Sequence, residues 1–122
     1  MKQKIGKFGE EIAVKHLVKH FFEILDRNYR KKWGEIDIVA KKDGILHFIE
    51  VKTVSHETKP YKSNPEENVH FWKRRRLSRT IQTYLADKNV SCETDWQVDS
   101  IAVFLNFKTR RAKVRFIENI IL

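Results

Sequence analysis

Glu35-Ile36-Asp37-Ile38-Val39-Ala40 and Ile45-Leu46-His47-Phe48-Ile49-Glu50-Val51-Lys52, with Lys42-Asp43-Gly44 between them, decide the fold. Both runs are rich in β-branched and apolar residues, and Asp-Gly between two such runs is the strongest short-range signal for a β-hairpin. A side-chain period of two places Glu50 and Lys52 on one face behind Leu46 and Phe48, and turns His47, Ile49 and Val51 to the other. With Asp43-Gly44 as a two-residue turn, Lys42 lies opposite Ile45, Asp37 opposite Glu50, and Glu35 opposite Lys52. A slip of one residue abolishes that pairing.

Upstream, Phe8, Ile12, Ala13, Leu17, Val18 and Phe21 recur at helical spacing, which predicts a first helix over Ile5–Phe21. Phe22–Arg30 reads as an outer strand running into a basic loop closed by Trp33-Gly34. Downstream, residues 55–65 are polar, hold both prolines and read as a surface loop. Asn64-Pro65-Glu66-Glu67 has the composition of a helix start: an N-cap, a proline at the first helical position and two acids at the positive end of the dipole. Val69, Trp72, Leu77, Ile81, Tyr84 and Leu85 continue that helix. Trp96–Leu105 and Ala112–Ile117 are two further strands, joined by the basic turn Lys108-Thr109-Arg110-Arg111. The order α-β-β-β-α-β-β predicts an α/β domain with a mixed or antiparallel central sheet.

At 122 residues the chain is one domain, and 41% hydrophobic residues, including eight Phe and three Trp, exclude wholesale disorder. Its 25 Lys+Arg against 16 Asp+Glu leave a net charge of +9. That excess favours a polyanionic partner, nucleic acid ahead of an anionic membrane surface. No apolar run approaches the roughly 18 residues of a membrane span. The N-terminal Met1-Lys2-Gln3-Lys4 leads into a charged helix pattern, so a soluble, cytoplasmic protein is expected. A single cysteine, Cys92, excludes an intramolecular disulfide and a thiolate zinc site. His16 and His20 share a helix face but lack the intervening Glu of a metalloprotease and any evident third ligand.

Two carboxylates facing each other across a sheet, with Cβ atoms about 4.5–5.5 Å apart, repel and require a cation. Lys52 or a metal ion answers that need, and Asp and Glu oxygens select Mg²⁺ or Mn²⁺ over zinc. A divalent ion so held polarises a phosphoryl oxygen and generates a hydroxide, while Lys52 beside it orients the water or stabilises charge on phosphorus. The competing explanation is that Glu35, Asp37, Glu50 and Lys52 form two cross-strand ion pairs on a solvated face. The apolar character of the strands argues instead for a face that is partly covered.

Asp37 followed by Ile49-Glu50-Val51-Lys52 resembles the D…(D/E)-x-K signature of the restriction-endonuclease-like (PD-(D/E)XK) nucleases. Gly9-Glu10-x-x-Ala13, Arg27-Asn28-Tyr29-Arg30, Gly34-Glu35-Ile36-Asp37-Ile38, Phe48-Ile49-Glu50-Val51-Lys52-Thr53, Lys73 with Leu77, Tyr84-Leu85 and Val98-Asp99 together resemble the YraN-like family. These are small bacterial proteins of endonuclease-like fold related to Holliday-junction resolvases, and the resemblance covers nearly the whole chain. It implies a restriction-endonuclease-like fold, with a central mixed sheet of four to five strands flanked by helices. It further implies Glu10, Asp37 and Glu50 as acidic site residues, Lys52 as the catalytic lysine, and the Val51 carbonyl as a further metal ligand. Local sequence alone would make Glu10 a solvated helix acid paired with Lys7 or Lys15. The pattern departs from the family after Thr53, where Val54 stands in place of the usual arginine. Asp99 reads as structural, pairing or capping a neighbour.

The basic residues fall in three acid-free clusters: Arg27, Arg30, Lys31 and Lys32; Lys73, Arg74, Arg75, Arg76 and Arg79; and Lys108, Arg110, Arg111, Lys113 and Arg115. Such clusters around an acidic centre are the footprint of phosphate-backbone binding, which positions a duplex without reading its sequence. Trp33 and Trp72 lie beside basic residues and could stack on bases, although packing at element ends explains them as well. The expected function is Mg²⁺- or Mn²⁺-dependent hydrolysis of phosphodiesters in duplex or branched DNA, with no membrane partner. Resolvase-like action would need two active sites and hence a symmetric homodimer. The alternatives are a non-catalytic nucleic-acid-binding module on the same fold and a basic, ribosome-associated or protein-interaction domain.

Overall fold

The computed structural model describes residues 2–55 and 71–120. Its hairpin turn is the one the Asp-Gly pair requires. Asp43 (φ 52°) and Gly44 (φ 79°) both take left-handed backbone, the conformation whose twist matches the flanking strands. Lys42 pairs with Ile45, and the register runs back to Ile38 opposite Ile49.

The elements are α1 (Lys2–Lys19), β1 (Glu23–Lys31), β2 (Gly34–Lys42), β3 (Ile45–Ser55), α2 (Phe71–Asp87), β4 (Trp96–Asn106) and β5 (Arg111–Ile117). They follow the expected order α-β-β-β-α-β-β. The five strands lie in sequence order in one mixed sheet. The β1/β2, β2/β3 and β4/β5 pairs are antiparallel and β3/β4 is parallel. The parallel pair is the one separated in the chain by α2, as a crossover connection demands.

One helix covers each face. Ala13 and Leu17 of α1 pack with Ile38, Ala40, Ile49, Ile101, Val103 and Leu105. Leu77, Ile81 and Tyr84 of α2 pack with Ile36, Val39, Phe48 and Val98 on the opposite face. Even-numbered residues of β3 and β4 therefore face α2, and odd-numbered ones face α1.

The first helix stops at Lys19, two residues short of the expected end. Phe21 adopts left-handed φ (70°), its N–H donates to Val18 O (3.0 Å), and the Phe22 N–H donates to Leu17 O (2.9 Å). This pair of bonds is a Schellman cap with a phenylalanine where glycine is usual. It leaves Phe21 86% exposed while turning Phe22 into the core. The helix-start signal at Asn64-Pro65-Glu66-Glu67, both prolines and Val69 lie outside the described residues, as does the Trp72 side chain.

β1 ends where β2 begins, β3 ends at Ser55 opposite Leu105, and β5 begins at Arg111 opposite Asn106. The β1–β2 turn and the β4–β5 turn consequently leave the same end of the sheet.

Candidate active site

The regular ladder between β2 and β3 stops at Ile38 opposite Ile49, one pair short of Asp37 and Glu50. Asp37 and Glu50 are thus not directly opposed as the hairpin register extrapolates, nor does Glu35 meet Lys52. Instead Oδ2 of Asp37 accepts the main-chain N–H of Val51 at 2.8 Å, so a side chain takes the place of a strand carbonyl. Glu35 turns to its neighbour across β1, accepting bonds from Nε and Nη2 of Arg30 at 3.0 and 2.9 Å.

The cause is a reversal of side-chain direction in β1 and β2. Ile36 packs on the α2 side and Ile38, two residues on, packs on the α1 side. Regular alternation would put them on one face. In β1 the same switch separates Arg27, paired with Glu11 of α1, from Tyr29, whose ring meets Tyr84 of α2 edge-on. Asn28 between them has φ 54°, the left-handed region that asparagine tolerates better than most residues.

Where β2 and β3 part, side chains from both faces meet in a cavity of about 800 Å³. Glu10 of α1, Glu35 and Asp37 of β2, Glu50 and Lys52 of β3, and Lys73 of α2 all line it, together with Val51. Arg30, Lys31, Lys32, Trp33 and Arg76 also contribute to its wall. All four residues expected to be catalytic are therefore placed in one cavity. Lys73, expected as a phosphate contact, lies within ion-pairing reach of the Glu50 carboxylate, and Lys52 lies 3.1 Å from the same oxygen.

The charges shape one another. Burial pushes the Asp37 carboxyl up to about 7, the Val51 N–H opposes that rise, and the carboxylates of Glu10, Glu35 and Glu50 add to it. Glu10 is also raised, first by burial and then by Glu35, against Arg27, the Asn28 side chain and Arg30. Burial and the adjacent Lys73 lower the pKa of Lys52, with Glu50 opposing. For Lys73 burial acts downward, but hydrogen bonding to Glu50 and the attraction of the nearby carboxylates carry it upward.

Among the described residues no three acidic, His or Cys side chains stand close enough together to hold a metal ion as placed. The donor chemistry nevertheless fits a hard cation. Asp37 keeps Oδ1 free of the Val51 bond, and Glu10, Glu35 and Glu50 add negative charge to the same cavity, an excess that a divalent ion would relieve. Glu10, Asp37, Glu50 and the Val51 carbonyl are the oxygens available to it.

The first two basic clusters reach this cavity in part. Arg74 and Arg75 do not line it, and Arg79 stacks its guanidinium 4.1 Å from the Trp33 ring centroid. Among the described residues the buried Trp33 indole N–H has no hydrogen-bond partner. The third cluster lies on the β5 side, where Arg111 and Lys113 line a separate groove with Val54 and Phe104. His16 and His20 stack with ring centroids 4.2 Å apart, and burial followed by the charges of His20 and Lys19 lowers the His16 pKa. Asp99 is fully buried and structural: it accepts bonds from His47 Nδ1 (2.5 Å), Gln97 Nε2 (2.9 Å) and the Asn119 N–H (2.8 Å). Among the described residues no helix is long and apolar enough to cross a membrane.

The model of the uncharacterised protein family UPF0102 matches residues 9–116. A UPF0102 protein of Campylobacter hominis is 44% identical over 119 residues, covering 98% of this chain and 95% of its own length. UPF0102 proteins of Clostridium botulinum (37% over 115 residues, 94% and 91%) and Caldicellulosiruptor bescii (34% over 118 residues, 96% and 96%) are similarly collinear with it.

Proposed function

The chain belongs to the uncharacterised protein family UPF0102, and we propose that it is a restriction-endonuclease-like, Mg²⁺- or Mn²⁺-dependent endonuclease acting on duplex or branched DNA. The observation that carries this reading is the convergence of Asp37, Glu50 and Lys52 with Glu10 in one cavity, walled by cationic side chains from β1, its turn and α2. Arginine and lysine at such a wall bind the phosphate backbone and leave sequence unread. Lys52, held against Glu50, orients the attacking water and stabilises the charge that develops on the phosphoryl oxygens. The water gives up one proton to solvent and adds to phosphorus as the bond to the leaving oxygen breaks, and that oxygen takes a proton from solvent. A bound divalent ion would supply Lewis-acid stabilisation of the charge developing on the phosphoryl oxygens. Cutting both arms of a symmetric junction would require two copies of the chain.

The test is a nicking assay on linear and four-way-junction DNA with Mg²⁺ or Mn²⁺. Wild type is expected to cleave, while Asp37→Asn, Glu50→Gln and Lys52→Met still bind DNA but do not cut it. Equal cleavage by all four proteins would sink the proposal.

One observation favours a second reading. Glu50 is already neutralised by two lysines and the carboxylates are not closed around an ion position. A non-catalytic nucleic-acid-binding module would look like this. Calorimetric titration separates the two, because Mn²⁺ binding that disappears in Asp37→Asn belongs only to the metal-dependent reading.

A further inference from the structure

Two ammonium groups on one carboxylate carry more positive charge than that carboxylate cancels. Glu50 Oε1 nevertheless holds both Nζ of Lys52, at 3.1 Å along the same strand, and Nζ of Lys73, from the facing helix. Neighbouring cations at half-buried positions repel, so the arrangement has a member that is readily given up. Lys52 is fixed two residues from Glu50 on β3. Lys73 reaches in from α2, and its side chain is the more exposed of the two, at 38% against 26%. Arg76, one turn further along α2, lines the same cavity, so the two cations share one face of the helix.

A divalent cation that takes Glu50 as a ligand competes with Lys73 for the same oxygen. We infer that Lys73 is a positioning residue, which holds Glu50 in the metal-free protein, is displaced when the cation binds, and then joins Arg76 in holding the substrate phosphodiester. The inference rests on the metal-dependent reading of the site. It makes cation binding and phosphate binding mutually reinforcing, since one event frees the group the other uses, and such coupling is reciprocal by thermodynamic necessity. A purely structural ion pair predicts no such link.

The experiment is calorimetric titration of Mn²⁺ into the full chain, comparing wild type with Lys73→Met, Lys73→Gln and Lys73→Arg, with thermal melts to confirm folding. Lys73→Met and Lys73→Gln are expected to bind Mn²⁺ about fivefold or more tightly than wild type, whereas Lys73→Arg, which keeps the charge, remains near wild type. In saturating Mn²⁺, fluorescence anisotropy with a short phosphorothioate duplex is expected to show about fivefold weaker binding by Lys73→Met, and without metal the same pair bind alike. Equal Mn²⁺ affinity in wild type and Lys73→Met overturns the inference and leaves the metal-dependent reading standing. Absence of Mn²⁺ binding in every variant overturns that reading, and the inference with it.

Discussion

A Cβ on Gly9 would lie 2.0 Å from Oγ1 of Thr53 and within 3.0 Å of that residue's Cγ2 and Cβ. The backbone of α1 therefore packs directly on the Thr53 side chain of β3, and Glu10, the next residue, lines the cavity. Gly9→Ala is expected to destabilise the protein by about 1–3 kcal/mol through overpacking, despite the roughly 1 kcal/mol of helix propensity it gains. Gly6, with nothing within 4 Å of its hypothetical Cβ, is the matched control. Gly6→Ala is expected to stabilise by about 0.5–1 kcal/mol. Urea unfolding of the two variants should give shifts of opposite sign with unchanged m-values.

Asp37 makes stability depend on pH in an unusual direction. Its carboxyl is raised from 3.8 to about 7, first by burial and then, against the Val51 N–H, by the surrounding acids. The folded state therefore binds this proton more tightly than the unfolded chain does, so the contribution of Asp37 to stability falls as pH rises from about 4 to about 7 and is constant above. Asp37→Asn removes the loss. In metal-free buffer at pH 8 the variant is expected to exceed wild type by about 1–3 kcal/mol, less than a fully enclosed site would give because the carboxyl borders an open cavity. At pH 4 the gain should vanish. Thermal melts at both pH values check this, and a wild type more stable than the variant at pH 8 contradicts it.

Asp99 accepts three hydrogen bonds in full burial, binding β3 through His47, its own strand through Gln97 and the C-terminal segment through Asn119. Asp99→Ala leaves all three donors unsatisfied and is expected to cost about 3–5 kcal/mol. Far-ultraviolet circular dichroism during urea titration should show a midpoint shift of the whole transition, because β3 and β4 are the central parallel pair.

Arg76 is exposed and lines the cavity. If its guanidinium meets a phosphate, Arg76→Ala reduces the slope of log affinity against log salt by about 1 and weakens all DNA sequences alike. Binding isotherms at several salt concentrations on two unrelated duplexes measure both effects. An unchanged slope removes Arg76 from the binding surface.

The hairpin was legible because Asp43-Gly44 prescribes a turn and the turn prescribes a register, which holds from Lys42/Ile45 to Ile38/Ile49. Extending that register to Asp37/Glu50 and Glu35/Lys52 goes wrong where alternation reverses. The left-handed Asn28 lies on a different strand from the residues it affects, and no period within Glu35–Lys52 carries its signature. Arg30 captures Glu35 because the tight turn after Lys31 sets them side by side. Glu10 has only a solvated helix pattern in its own neighbourhood. Its place in the cavity depends on how closely α1 docks, for which Gly9 was a cue visible in the sequence. The Lys73–Glu50 pairing joins α2 to β3, and contacts between elements so far apart leave no local pattern. Apolar spacing alone places the helix end at Phe21, yet that residue is the left-handed cap and points to solvent.

The bond between Asp37 and Val51 turns one amide into an observer of the site. Among the amides of β3, that of Val51 has a carboxylate as acceptor, so its proton resonance in a nitrogen-correlated NMR spectrum responds directly to whatever befalls Asp37. Protonation, a cation or an arriving phosphate would each move that one peak. The occupancy of the cavity could thus be followed by a spectroscopic label already present in the backbone, with no catalytic turnover required.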